Sequence, residues 1–122
     1  MQFLMLIKIA NTSDYEAGTP LPGELDRAMG ELMGQWSKSG AFVSAAGLRP
    51  TSQGARVRSS GGAAKVIDGP FTESKEVVGG FFLLEASDKA AAVEMARRFV
   101  QLHIDTLGPE FHLECEVRQL DA

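Results

Sequence analysis

Between positions 68 and 76 the chain reads DGPFTESKE, a stretch with four ionisable side chains, Asp68, Glu73, Lys75 and Glu76. A lysine set among carboxylates can orient a charged substrate, and it can shift a neighbouring carboxyl pKa far enough for proton transfer. This chemistry makes Asp68 and Lys75 the candidate catalytic residues, with Glu73 and Glu76 as candidate substrate contacts. The competing reading is structural. Asp68 would close its own turn through the Phe71 amide while the glutamates and the lysine stand solvated at a loop edge.

Lys8 is the single charge in the apolar run QFLMLIKI and shares the parity of Leu4 and Leu6. A lysine withdrawn from water needs a partner, so it either reaches a strand edge or meets a carboxylate in a pocket. Arg56 and Arg58 alternate with Val57, the pattern of a half-exposed strand, and Arg58 joins Lys8 among the substrate-binding candidates. His103 falls on an apolar helical stripe, the place of a hydrogen-bonded, partly buried histidine rather than of a base. His112, Glu114 and Glu116 share one strand face, but no second histidine cluster or cysteine pair accompanies them, so a solvated polar face and no metal are expected. No Gly-x-Gly-x-x-Gly, Walker loop, Gly-x-Ser-x-Gly or His-Glu-x-x-His occurs, and no organic cofactor is expected.

These residues must be positioned by regular elements, and the hydrophobic periodicity supplies them. Residues 2–9 are apolar on both parities, as in a strand buried on two faces. A helix opens near Pro22 and Gly23, carries Leu25, Ala28, Met29, Leu32, Met33 and Trp36 on one stripe, and stops at Gly40. Short strands follow at 42–48, 55–59 and 64–68, the last two joined as a hairpin through Ser60, Gly61, Gly62 and Ala63. The Asp-Gly-Pro start of the next loop excludes a simple two-residue hairpin, so the loop is either wider or contains a cis Gly69-Pro70 bond. A strand at 77–86 is again apolar on both faces, with Gly79 and Gly80 marking a bulge or a close approach by a backbone or ligand. Ser87 is the expected cap of a second helix bearing Ala92, Met95, Ala96, Phe99, Val100 and His103. An irregular stretch over 105–111 leads to a last, alternating strand.

The order strand, helix, strands, helix, strand describes an antiparallel α+β domain with both helices on one side of the sheet. Two strands apolar on both faces then leave the second sheet face uncovered, and a second copy of the chain is the simplest cover. Any pocket is expected between the sheets, at the dimer seam, or against the Asp68 loop.

With 122 residues, one domain is expected, and a 44% apolar, 23% charged composition is ordinary for a globular protein. A net charge of −4, with the basic residues scattered among acids, argues against nucleic acid and against an anionic membrane surface. The single cysteine, Cys115, excludes an intrachain disulfide and suits a reducing compartment, and no basic leader or long apolar span is read, so a cytoplasmic location is expected.

The opening LMLIKIANTSDYEAG, then GARVRSSGG, DGPFTESKEVVGGFFLLEA and the closing CEVRQL together resemble the YCII-related family, in particular the group named for its DGPF motif. The resemblance implies a ferredoxin-like α+β domain that dimerises into an α+β barrel. Shorter relatives of this kind carry a histidine on the first helix, paired with an aspartate for acid–base chemistry. Residues 23–39 of this chain contain no histidine, so that mechanism does not carry over. What the sequence leaves is a dimeric, cofactor-independent enzyme acting by acid–base chemistry on a small molecule beside the DGPF loop, or a dimeric binding or regulatory module without turnover.

Overall fold

A computed structural model describes residues 1–10, 12–71 and 74–121. Strand β1 (Gln2–Ile9) lies in the middle of a four-stranded sheet of order β2-β5-β1-β6, where β2 is Phe42–Gly47, β5 is Val77–Glu85 and β6 is Leu113–Gln119. All three strand pairings are antiparallel, so the domain is α+β, with a strand order compatible with a ferredoxin-like arrangement. Helices α2 (Gly23–Ser39) and α3 (Lys89–Leu107) supply the other layer of the core. Strands β3 (Ala55–Ser60) and β4 (Ala63–Asp68) form a separate two-stranded hairpin. Gly61 and Gly62 both have positive φ, 58° and 83°, as a tight two-residue hairpin turn of this hand requires.

The β-period sorts the side chains of the central strands. Phe3 and Met5 of β1 and Phe82 and Leu84 of β5 point into the helix-covered face and are buried, while Leu4, Leu6, Phe81 and Leu83 lie on the open face and are half-buried. Phe82 is the hub of the core: Trp36, Phe99 and Phe42 meet its ring edge-on, with centroids at 5.4, 5.2 and 6.4 Å. Such aromatic pairs add about 0.5–1.5 kcal/mol each beyond the area they bury. Gly40, with φ of 79°, ends α2 in the left-handed conformation, and its amide reaches back to the Ser37 carbonyl.

Several expectations need correction. The cap of α3 is Asp88 and not Ser87: its carboxylate accepts the Ala91 amide at 2.8 Å, satisfying one of the free donors of the first turn. This helix also continues to Leu107, three residues into the stretch read as irregular, and closes on Gly108. A short helix, α1 (Thr12–Glu16), and a 3-10 turn (Thr51–Gln53) had no counterpart in the sequence reading, since neither is long enough to show a period. Gly79 is the bulge residue. Ile7 pairs with Gly80 and Lys8 with Val78, so Gly79 has no partner on β1, and the shift turns Val77 into the core and Val78 toward the open face. The space beside the glycine pair is filled by the protein itself. A Cβ on Gly79 would meet Ile9 Cδ1 at 2.2 Å, and one on Gly80 the Ala46 carbonyl oxygen at 2.8 Å.

His103 is buried, donates its Nδ1 hydrogen to the Phe99 carbonyl at 2.8 Å, and lies between the rings of Phe99 and Phe111. Burial depresses its pKa below the usual 6.5, and the Phe99 hydrogen bond opposes this only in part. A histidine kept neutral in the fold contributes stability above its unfolded pKa, and the contribution is lost as pH falls through the folded value. The melting temperature of the parent should therefore fall between pH 7 and pH 5, and His103→Leu should flatten that dependence. An unchanged slope in the variant would assign the acid sensitivity elsewhere. Cys115 is half-buried on the core-facing parity of β6, with its thiol pushed up to about 12 chiefly by burial, which makes it an inert packing residue.

Candidate functional site

The Asp-Gly-Pro-Phe loop takes its shape from the 3-10 turn beneath it. The Gly69 amide donates to the Gly54 carbonyl at 3.0 Å, the Gly69-Pro70 bond is cis, and the Phe71 amide donates to Thr51 Oγ1 at 3.1 Å. Phe71 therefore gives its amide to Thr51 rather than to Asp68, and the expected Asp68 turn closure is replaced by a contact from 20 residues upstream. Thr51 in turn is held by Glu16 at the end of α1. Its amide donates to Glu16 Oε1 at 2.9 Å and its hydroxyl donates to Glu16 Oε2. The next residue back, Tyr15, directs its hydroxyl at the Leu48 and Arg49 carbonyls, 2.7 and 2.9 Å away. Across the loop, the Arg56 guanidinium lies 3.9 Å from the centre of the Phe71 ring, and its Nη2 donates to Ser74 Oγ at 2.9 Å.

These ties join four segments that are distant in sequence, and they enclose a cleft of about 390 Å3. Thr12, Ser13 and Glu16 line it from α1, Ser52 from the 3-10 turn, and Pro70, Phe71, Ser74 and Val77 from the loop and the start of β5. Three environments therefore meet in one space: hydroxyls, an aromatic and aliphatic floor, and one carboxylate whose orientation is set by two hydrogen bonds. A second depression of about 380 Å3, between α2 and α3, is a surface groove whose charged and amide side chains already pair with one another or with neighbours, Arg97 with Glu94, Arg98 with Gln35 and Gln101 with Asp105.

The sequence candidates lie around this cleft rather than in it. Asp68 and Lys75 are exposed, and among the described residues neither side chain has a hydrogen-bond or ion-pair partner. Asp68 ends β4 two residues before Pro70, and Lys75 follows Ser74 directly. Arg58 is exposed on the β3–β4 hairpin, opposite Lys65. Glu73 lies outside the described residues.

Lys8 meets carboxylates on the open sheet face, opposite Val78 at the start of β5. Its Nζ donates to Glu116 at 2.6 Å, with Glu114 at 3.6 Å and Glu76 at 3.9 Å. The hydrogen bond to Glu116 holds the Lys8 ammonium above its ordinary value, and the same bond holds the Glu116 carboxyl below its own. By linkage the pair stabilises the fold between the two ordinary values, 4.5 and 10.5, and is lost as acid titrates Glu116 or alkali titrates Lys8. Glu76 is thus the most distant of the three carboxylates around Lys8, and His112 does not take part in the group. Among the described residues no group of three His, Cys, Asp or Glu side chains is placed to hold a metal, and no helix is long and apolar enough to cross a membrane.

With this geometry in place, the comparisons with known proteins acquire a structural meaning. The family model of the YCII-related domain matches residues 1–101, and the chain belongs to that family. The matched region contains every residue that lines the cleft, whereas Glu114 and Glu116, the partners of Lys8, lie beyond it. The chain is also similar to an uncharacterized protein of Rhizobium meliloti (strain 1021), 34% identical over 71 residues, which is 58% of this chain and 57% of the relative's own length. The aligned part therefore spans less than two thirds of that relative.

Glu16, Thr51, Ser52 and Ser74 went unrecognised in the sequence. The one available signal was Thr12-Ser13-Asp14, a run of capping residues just after β1 that announces a helix start.

Proposed function

We propose that this chain is a small-molecule-binding domain that works as a homodimer, with its ligand in the cleft beside the Asp-Gly-Pro-Phe loop. The observation that carries the reading is the Glu16–Thr51–Phe71 tie. It fixes the walls of a ligand-sized space from segments far apart in sequence, and preorganised walls are what a small-molecule site needs. A screen of metabolites by thermal shift is the test, since a ligand of the native state raises the melting temperature. Ser52 is exposed, so Ser52→Phe fills the cleft without disturbing the core, and it should abolish the shift given by any hit. A hit that stabilises Ser52→Phe as strongly as the parent binds elsewhere and removes the assignment.

Dimerisation is supported by the open sheet face, where Leu4, Leu6, Phe81 and Leu83 adjoin Val78, which is 39% exposed. Packed face to face, two such sheets would form the α+β barrel, and Val57 with Val66 adds a second bare apolar pair on the hairpin. Light scattering should give twice 13.1 kDa, and Val78→Asp should return the chain to a monomer. A parent that is monomeric at micromolar concentration would end this part of the proposal.

Acid–base turnover in the same cleft is the second reading, favoured by the oriented Glu16 carboxylate, the arrangement a general base requires. Lys75 and Asp68 enter it as charges flanking the cleft, Lys75 next to Ser74 and Asp68 two residues before Pro70. Mass spectrometry of a bound hit after incubation separates the readings: a changed mass or an isotope exchanged from solvent means turnover, and an unchanged ligand means binding alone.

A further inference from the structure

The chemistry of the cleft lining restricts what can enter it. Glu16 contributes a carboxylate, Ser52 and Ser74 contribute hydroxyls, and no lysine, arginine or histidine lines the space among the described residues. Among the described residues the groups that bind Glu16, the Thr51 amide and hydroxyl, are neutral, so they orient the carboxylate without cancelling its charge. An ionised carboxylate offers about four acceptor sites, and Thr51 uses only two of them. Arg56, which reaches two of the lining residues from outside, is engaged on Phe71 and Ser74. The neighbouring Tyr15 phenol is held above its ordinary range by burial first and by the Glu16 charge second, which agrees with a negative charge felt in partly dry surroundings. An anionic ligand would meet Glu16 with no cation among the described lining residues to offset it. A neutral polyol would satisfy the hydroxyls and leave the charge unpaired. A protonated amine satisfies both, through a charge-assisted hydrogen bond to the carboxylate and ordinary ones to the serines.

We infer that the cleft binds a small organic cation, a protonated amine whose ammonium pairs with Glu16 and whose remaining donors meet the hydroxyls of Ser52 and Ser74. This rests on the cleft being the ligand site, and it adds the ligand's charge and class. A matched four-carbon series at constant ionic strength tests it: 1,4-diaminobutane, 4-amino-1-butanol, 1,4-butanediol and succinate, measured by calorimetry and thermal shift. The expected order has both amines at least tenfold tighter than the diol, with succinate not binding. Glu16→Gln should weaken the amines at least tenfold and leave the diol unchanged, and Ser52→Phe should abolish binding throughout the series. Should Glu16→Gln fail to fold, Ser52→Phe and the order of the series still decide. A preference for the diol or succinate that Ser52→Phe removes overturns the amine assignment and leaves the cleft standing, as does amine binding that Glu16→Gln does not weaken. Amine binding that persists in Ser52→Phe is attraction to the acidic surface and overturns the inference. If neither this series nor any metabolite binds in a manner sensitive to Ser52→Phe, the cleft itself is not a ligand site.

Discussion

Replacing Gly69 by alanine should destabilise the protein by about 3 kcal/mol, the upper end of what overpacking usually costs. A Cβ at this position would fall 1.6 Å from the Thr51 carbonyl oxygen and 2.6 Å from its carbon, with the Gly54 oxygen at 3.3 Å. All three atoms are backbone, so no rotamer change relieves the clash, and either the 3-10 turn or the loop must move. The other crowded glycines provide an internal scale. Gly80→Ala meets the Ala46 carbonyl oxygen at 2.8 Å and should cost less, while Gly79→Ala meets chiefly the flexible end of Ile9 and should cost least of the three. Gly34, exposed inside α2 with nothing within 4 Å, should respond with the opposite sign, gaining about 0.8–1 kcal/mol from the better helix propensity of alanine. Urea denaturation of the four variants checks the order. A Gly69→Ala protein as stable as the parent would mean that the loop does not rest on the 3-10 turn as described.

The contrast between Gly69 and Gly34 also shows which parts of this molecule are legible in the sequence. Gly34 belongs to a helix whose stripe of Leu25, Leu32 and Trp36 repeats over 17 residues, and that helix, like β1, β5 and the hairpin, stands where the periodicity places it. The cis or wider loop at Gly69-Pro70 was also anticipated, because glycine and proline restrict the backbone locally. The contact that gives Gly69 its importance, a carbonyl 18 residues earlier in a three-residue turn, leaves no periodic trace. The same limit hid the cleft. Glu16 is one acid among the 16 acidic residues of the chain, and nothing in its local sequence says that it will meet Thr51. Charge density drew attention to Lys75 and Glu76 instead, yet clustering of charges along a chain is as well explained by solvation as by chemistry. Lys8 was legible because an isolated charge in an apolar strand must be compensated. Its partners Glu114 and Glu116 come from β6, the strand that register places beside it.

Thr51→Val should cost about 2 kcal/mol, within the penalty for leaving a withdrawn polar group unpaired. Valine matches threonine in shape but removes Oγ1, the atom that accepts from the Phe71 amide and donates to Glu16. The Thr51 amide still reaches Glu16 Oε1 in the variant, so the carboxylate keeps one of its two anchors while the Phe71 amide loses its acceptor among the described residues. Thr51→Ser keeps the hydroxyl and should lose less than about 1 kcal/mol, because only a methyl group is removed. The pair of variants separates the hydroxyl's polar role from simple packing. Ligand binding gives a second, independent readout. Once Oγ1 is gone, one wall of the cleft is released and Glu16 is held by one hydrogen bond instead of two, so affinity for any ligand of the cleft should fall in Thr51→Val and recover in Thr51→Ser. Equal denaturation midpoints for parent, Thr51→Ser and Thr51→Val would show that the tie between α1, the 3-10 turn and the loop contributes nothing to stability. Equal ligand affinities across the same three proteins would remove Thr51 from the construction of the site.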